Sequence, residues 1–157
     1  MLFALQPLDW VAVAVVGAFL VPIVVVDLRR FLILDDLVFG GTVVLFCYLV
    51  LWNDQRLLPA LVHGALGFAV IFAFWIVFKK QIGLGDAKLS FFLAAGLGFI
   101  EWWGALFIAS LFAMTYGLVR IKMKKMTLKD KLPLAPFFGI GAAGIVALKL
   151  CLWPLLR

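Results

Sequence analysis

The sequence predicts an all-α polytopic membrane protein, a bundle of about six transmembrane helices. Three observations carry that prediction. Of 157 residues, 67% are hydrophobic and 14% charged, and mean hydropathy is +1.21. Soluble domains run at roughly 25% charged and 45–50% apolar residues. A soluble fold of this length cannot hide so much apolar surface, because its outer face still needs polar cover. The apolar residues also come in runs close to the ~20 residues that cross ~30 Å of hydrocarbon as a helix. Finally, clusters of charge separate the runs, and flexible linkers do not. With no internal repeat or low-complexity segment, residues 1–157 read as a single membrane-embedded domain.

The first run, residues 10–26, ends at Asp27-Leu-Arg-Arg30. No Lys or Arg precedes it, so the basic start of a cleaved signal peptide is missing and the run is expected to be a retained span. The second, 37–52, ends at Asn53-Asp-Gln-Arg56, and the third, 57–78, is closed by Lys79-Lys80. Residues 89–119 are long enough for one very tilted helix or two short ones. Glu101, beside Gly96, Gly98 and Trp102-Trp103, lies near the middle. A carboxylate at the bilayer centre costs several kcal/mol, whereas Trp favours the interface, so a turn and two helices are expected there. The last run, 132–153, follows a basic segment, 120–131.

Basic residues concentrate on cytoplasmic loops, and this decides the count. With six spans and the N-terminus outside, Arg29, Arg30, Lys79, Lys80, Lys88, Arg120, Lys122, Lys124, Lys125, Lys129 and Lys131 are cytoplasmic, 11 of the 14 basic residues. Arg56, Lys149 and Arg157 remain outside. Five spans would export the six from Arg120 to Lys131 and reverse the asymmetry. The net charge of +6 is therefore a topology signal and a surface for anionic headgroups. Nucleic acid is not expected as a partner, because the basic segment has no interleaved aromatics for bases to stack on. Cys47 and Cys151 form no metal or CxxC spacing and read as small packing residues inside apolar runs. With no Cys/His cluster, neither a metal nor another cofactor is expected.

The eight acidic residues divide by side. Asp9, Asp54 and Glu101 fall outside, and Asp27, Asp35, Asp36, Asp86 and Asp130 inside. Asp27 ends the first span and Asp86 precedes the fourth, so the chain crosses twice between them and both reach the same face. Asp86 sits in Gln81-Ile-Gly-Leu-Gly-Asp-Ala-Lys88, where Gly83 and Gly85 let the backbone take conformations closed to other residues and approach a substrate. Alone, Asp86 is expected to cap the fourth helix, and Asp27 to be an interfacial acid paired with Arg30. Together they suggest a dyad sharing one proton, in which one carboxylate activates water while the other polarises a scissile carbonyl. The only histidine, His63, lies toward the opposite end of the third span and reads as a packed or interfacial residue.

Gly83-Leu-Gly-Asp86 with Lys88 resembles the GxGD motif of the type IV prepilin peptidases, a family of intramembrane aspartyl endopeptidases. Asp27-Leu-Arg-Arg leading to Ile33-Leu34-Asp35-Asp36-Leu37 resembles that family's other acidic block, with Leu34 where the family usually has proline. Pro133-Leu-Ala-Pro136-Phe137 is similar to the Pro-rich start of its last helix. The resemblance covers essentially the whole chain. It implies catalytic Asp27 and Asp86, with Gly83, Gly85, Lys88, Asp35 and Pro136 in support. It further implies a prepilin or pseudopilin precursor as substrate, cut after a short basic leader ending in glycine at the cytoplasmic face. The segment with a cysteine quartet, associated with N-methylation in the long forms, does not occur in this sequence, which is similar to the short forms serving Flp/Tad pili or archaeal filaments.

Two readings of other classes compete. A small transporter or channel would also hold an acid pair, although none of these acids lies clearly at mid-depth. A noncatalytic assembly factor would keep its function when the aspartates are replaced. Prolipoprotein signal peptidase is of similar length, but its Asn-containing acidic motifs are not evident.

The charge distribution makes the topology testable. Reporter fusions after Arg157 are expected to behave as exported and fusions after Lys125 as cytoplasmic. A cytoplasmic reporter after Arg157 would make residues 89–119 a single span.

Overall fold

The computed structural model describes residues 9–30, 34–77, 83–123 and 135–152. Among them are six α-helices and no strand: α1 (Trp10–Arg30), α2 (Asp35–Trp52), α3 (Leu57–Val77), α4 (Leu84–Leu97), α5 (Phe99–Lys122) and α6 (Ala135–Leu152). A 3₁₀ turn, Asp54–Arg56, leads into α3. Four segments are long and apolar enough to cross a membrane: α1, α2, α3 with its leading turn, and α5. The expected six-helix, all-α bundle is therefore present. Residue 78 and residues 132–134, at the edges of two expected runs, and the basic stretch 124–131 lie outside the described residues.

The long fourth run divides as anticipated, but the break falls at Gly98, three residues before Glu101. Gly98 has φ +102°, a left-handed region that costs a side chain bearing Cβ about 1–2 kcal/mol. One glycine thus turns the chain between α4 and α5. The fourth helix also starts earlier than its apolar run, at Leu84, taking Asp86 into its first turn.

Side-chain bonds fix which helix ends meet. At one end, Asp27 near the close of α1 accepts from the Ala135 N–H that opens α6 (3.0 Å), and Lys88 in α4 reaches Asp35 at the start of α2 (2.5 Å). At the other end, Asp9 ahead of α1 accepts from Tyr48 and Asn53 at the close of α2, and Glu101 in α5 pairs with Lys149 near the close of α6. Glu101, expected at an exposed turn, is buried.

Helix α4 is the centre of the bundle. It packs against α1, α2, α3 and α5 and contributes Leu89, Phe92 and Leu93 to the fully buried core, beside Ile23, Leu45, Trp102 and Phe138. Close contact with α3 requires Gly67: a Cβ there would lie 2.7 Å from Ala94 Cβ and 2.9 Å from the Ser90 carbonyl oxygen. Small residues that let backbones approach are the usual basis of helix association in lipid. Large apolar side chains such as Phe39, Trp52, Phe107 and Met114 point outward, where acyl chains would cover them. Cys47 and Cys151 also face outward, so they are not the internal packing residues expected from their apolar surroundings. In a membrane helix both faces are apolar, and neighbours in sequence do not reveal which one is inside. His63 is buried within α3, as a packed histidine would be.

Asp9 forms a polar knot that the sequence reading missed. Its carboxylate accepts from the Tyr48 hydroxyl (3.0 Å), the Asn53 amide (2.9 Å) and the N–H groups of Val11 and Ala12, with Arg56 at 3.7 Å. It thereby caps α1 and ties it to α2 and the 3₁₀ turn. Burial pushes the Asp9 carboxyl upward. The hydrogen bonds from Tyr48, Ala12 and Asn53 and the charge of Arg56 together outweigh it and hold the group below its ordinary 3.8. A depressed value stabilises the fold above pH 3.8, and that contribution is lost as pH falls through the lower, folded-state value.

Two stability measurements in detergent follow from this packing. Gly67→Ala is expected to lower stability by ~1–3 kcal/mol through overpacking, whereas Gly17→Ala, with nothing within 4 Å of the added Cβ, should leave it unchanged or slightly raised. Equal unfolding temperatures would disprove the close α3–α4 contact. Asp9→Asn should unfold at a lower temperature than the parent at neutral pH, with the difference closing as pH drops below 3.8. A gap that persists in acid would mean that the charge of Asp9 contributes nothing.

Candidate active site

Four helix ends converge where Asp27 and Asp86 lie. Asp27 is 4% exposed and Asp86 7% exposed, so both are core residues despite their positions at helix ends. Helices α1 and α4 pack directly on each other, with Asp27 near the close of one and Asp86 in the first turn of the other. The expectation that the two acids share one end of the bundle agrees with this geometry.

Each carboxylate meets a backbone donor from a helix start. Asp86 is the third residue of α4, and its Oδ2 accepts from the N–H of Gly83, the residue preceding the helix (3.1 Å). It therefore does not cap the helix from the first position, as its isolated sequence context suggests. It reaches back to the cap residue from inside the first turn, as an acid in a capping box does. Asp27 Oδ2 accepts from the N–H of Ala135 at the first turn of α6. The unpaired N–H groups and the positive dipole end of a helix start favour a carboxylate there. Asp27 is consequently not a solvated interfacial acid.

The supporting residues divide by location. Gly83 is extended, with φ −77° and ψ 146°, so the motif glycines are not there for a left-handed backbone. A Cβ on Gly83 would stand 3.3 Å from Asp86 Oδ2, so the glycine keeps the approach to that carboxylate open. Gly85 occupies the first turn of α4 between them, half-buried. Pro136 follows Ala135 in the first turn of α6, where a residue without an N–H is tolerated. Lys88 and Asp35, from the two acidic blocks, form an ion pair at 2.5 Å. The pair joins a residue of the first block to one of the second, across 53 positions of the chain. Asp36 is exposed. Ala135 is the residue that sequence reasoning missed, because a backbone donor leaves no side-chain signature.

Two cavities open between the helices, and neither Asp27 nor Asp86 lines either of them. One, of about 500 Å³, runs between α1 and α6 and is lined by apolar side chains including Val24, Val25, Pro136 and Gly139, which adjoin Asp27 and Ala135 in the chain. The other, of about 530 Å³, lies among α2, α3 and α4, with Asp35, Asp36 and Lys88 at its polar edge and Phe39, Phe68 and Phe91 within. Among the described residues there is no group of His, Cys, Asp or Glu that could hold a metal ion. Two carboxylates buried at one end of a bundle can between them polarise a carbonyl and activate water.

The type IV leader peptidase family model matches residues 14–118 of the chain, about two thirds of its length, including both acids. No curated protein and no solved structure matches.

Proposed function

Because this chain belongs to the type IV leader peptidase family, we propose that it is an aspartyl endopeptidase of the cytoplasmic membrane that removes the short basic leader from type IV pilin-like precursors. The observation that carries the proposal is the burial of Asp27 and Asp86 together at one end of the bundle. Two like charges buried at one end of a bundle cannot both ionise cheaply, and in this reading the pair shares one proton.

In this mechanism the ionised carboxylate takes a proton from water as the water oxygen attacks the scissile carbonyl carbon. The protonated carboxyl donates a hydrogen bond to the carbonyl oxygen, which becomes the oxyanion of a tetrahedral intermediate. Collapse breaks the C–N bond, and the proton taken from water passes to the leaving amine. The Gly83 and Ala135 N–H groups orient the carboxylates and reduce the cost of their burial. The apolar groove between α1 and α6 supplies a surface for the hydrophobic segment of a precursor. The charge distribution supports placing the site at the cytoplasmic face, with both termini outside.

Purified protein with a synthetic precursor tests this reading. Asp27→Asn and Asp86→Asn should each abolish cleavage while protein level and membrane insertion stay near those of the parent. Residues acting as a unit are strongly non-additive, so the double variant should be no worse than either single one. Asp→Glu at either position should fail too, since one methylene moves the carboxylate by ~1 Å. Asp36→Asn should retain most activity, with Asp35→Asn more damaging. Full turnover by either dyad Asn variant would sink the aspartyl mechanism and favour a transporter or assembly role.

A further inference from the structure

The ion pair between Lys88 and Asp35 joins the two acidic blocks directly, and neither block needs it for folding. The two side chains are 47% and 60% exposed, and pairs that exposed are worth only about 0–1 kcal/mol. Their placement is more informative than their energy. Lys88 stands two residues beyond Asp86, so the two project about 200° apart around α4. Asp86 turns inward to the α1 side, and Lys88 turns to the start of α2. The first turn of α4 is thus held on two flanks, with the buried acid between them.

One flank of that turn is packed, with Asp86 and Ala87 buried; the other is open, with residues 83, 84 and 88 exposed and Lys88 at the edge of the cavity among α2, α3 and α4. A helix start beside a cavity can tilt or slide by a fraction of an ångström at small cost, and Asp86 rides on it. Asp27 is held separately by α6 through Ala135. The packing of α1 on α4 sets the separation of Asp27 and Asp86 from the buried flank of the turn, and the pair of Lys88 with Asp35 meets its open flank.

We propose that the Lys88–Asp35 ion pair is a positioning clamp, holding the first turn of α4 against the start of α2 and thereby setting the separation of Asp27 and Asp86. The inference rests on the aspartyl peptidase reading for its kinetic consequence, but not for its structural one. Neither Lys88 nor Asp35 touches the scissile bond. A clamp of this kind acts on kcat, since misplacing a reacting group by ~1 Å can cost up to about 100-fold. It should leave KM and thermal stability nearly unchanged.

Charge reversal and exchange test the clamp. Lys88→Asp and Asp35→Lys are each expected to lower kcat by about 10–100-fold with little change in KM, and the double exchange to recover most of the loss. Singles with parental kcat, an exchange no better than its singles, or a loss confined to KM would each overturn the clamp, the last by making the pair a substrate contact. A second measurement needs no catalysis. With Cys47 and Cys151 replaced by Ala, Asp27→Cys and Asp86→Cys should cross-link under mild oxidation, and adding Lys88→Met should remove most of that cross-link. An unchanged cross-link would refute the clamp even in a protein that cleaves precursors. Loss of the cross-link, together with no cleavage of precursors by the parent protein that keeps both aspartates, would leave the clamp standing and refute the peptidase reading.

Discussion

Burying a carboxylate costs several kcal/mol unless hydrogen bonds or charges answer it, and this bundle buries two of them within reach of each other. The solution is distributed over helix starts. Asp86 is answered by the N–H of Gly83 ahead of α4, and Asp27 by the N–H of Ala135 at the head of α6. Helix starts are the one place in an apolar bundle where backbone donors are left over. Two acids kept in such a setting therefore require helix starts at their own depth, and the alternating direction of the helices supplies them.

The opposite end of the bundle handles its charges differently. Asp9 is tied to Tyr48, Asn53 and Arg56, and Glu101 to Lys149. These acids have side-chain partners, two of them full cations, and so stay paired. Asp27 and Asp86 accept from backbone amides, and among the described residues no cation forms an ion pair with either. The contrast separates acids met by side chains from acids met by backbone amides, the second setting being the one the proposed proton transfer uses, and it does so within one small chain.

Much of this was legible in the sequence, for a physical reason. Span lengths follow from bilayer thickness, so runs bounded by charge gave the helices directly, and the cost of Glu101 at mid-depth exposed the break between α4 and α5. The two acidic blocks stood out because acids are scarce here and Asp27 and Asp86 had to share a face. What could not be read were the contacts across helices. The outward aspect of Cys47 and Cys151, the Asp9 knot and the pairing of Asp35 with Lys88 depend on how helices rotate against each other. Periodicity reports that rotation in soluble helices, where one face is polar. Lipid makes both faces apolar and erases the signal.

Helix α4 has 14 residues, a rise of about 21 Å, set among neighbours of 21 and 24 residues. Hydrocarbon is ~30 Å thick. A helix of that rise falls about 9 Å short of the hydrocarbon thickness. Membranes meet a short hydrophobic length by thinning around it. A bilayer around this chain would thin at the head of α4, the end where Asp86 lies. The hydrolysis proposed above consumes water, and a helix cut short would bring solvent toward that end without a channel having to be bored through the bundle.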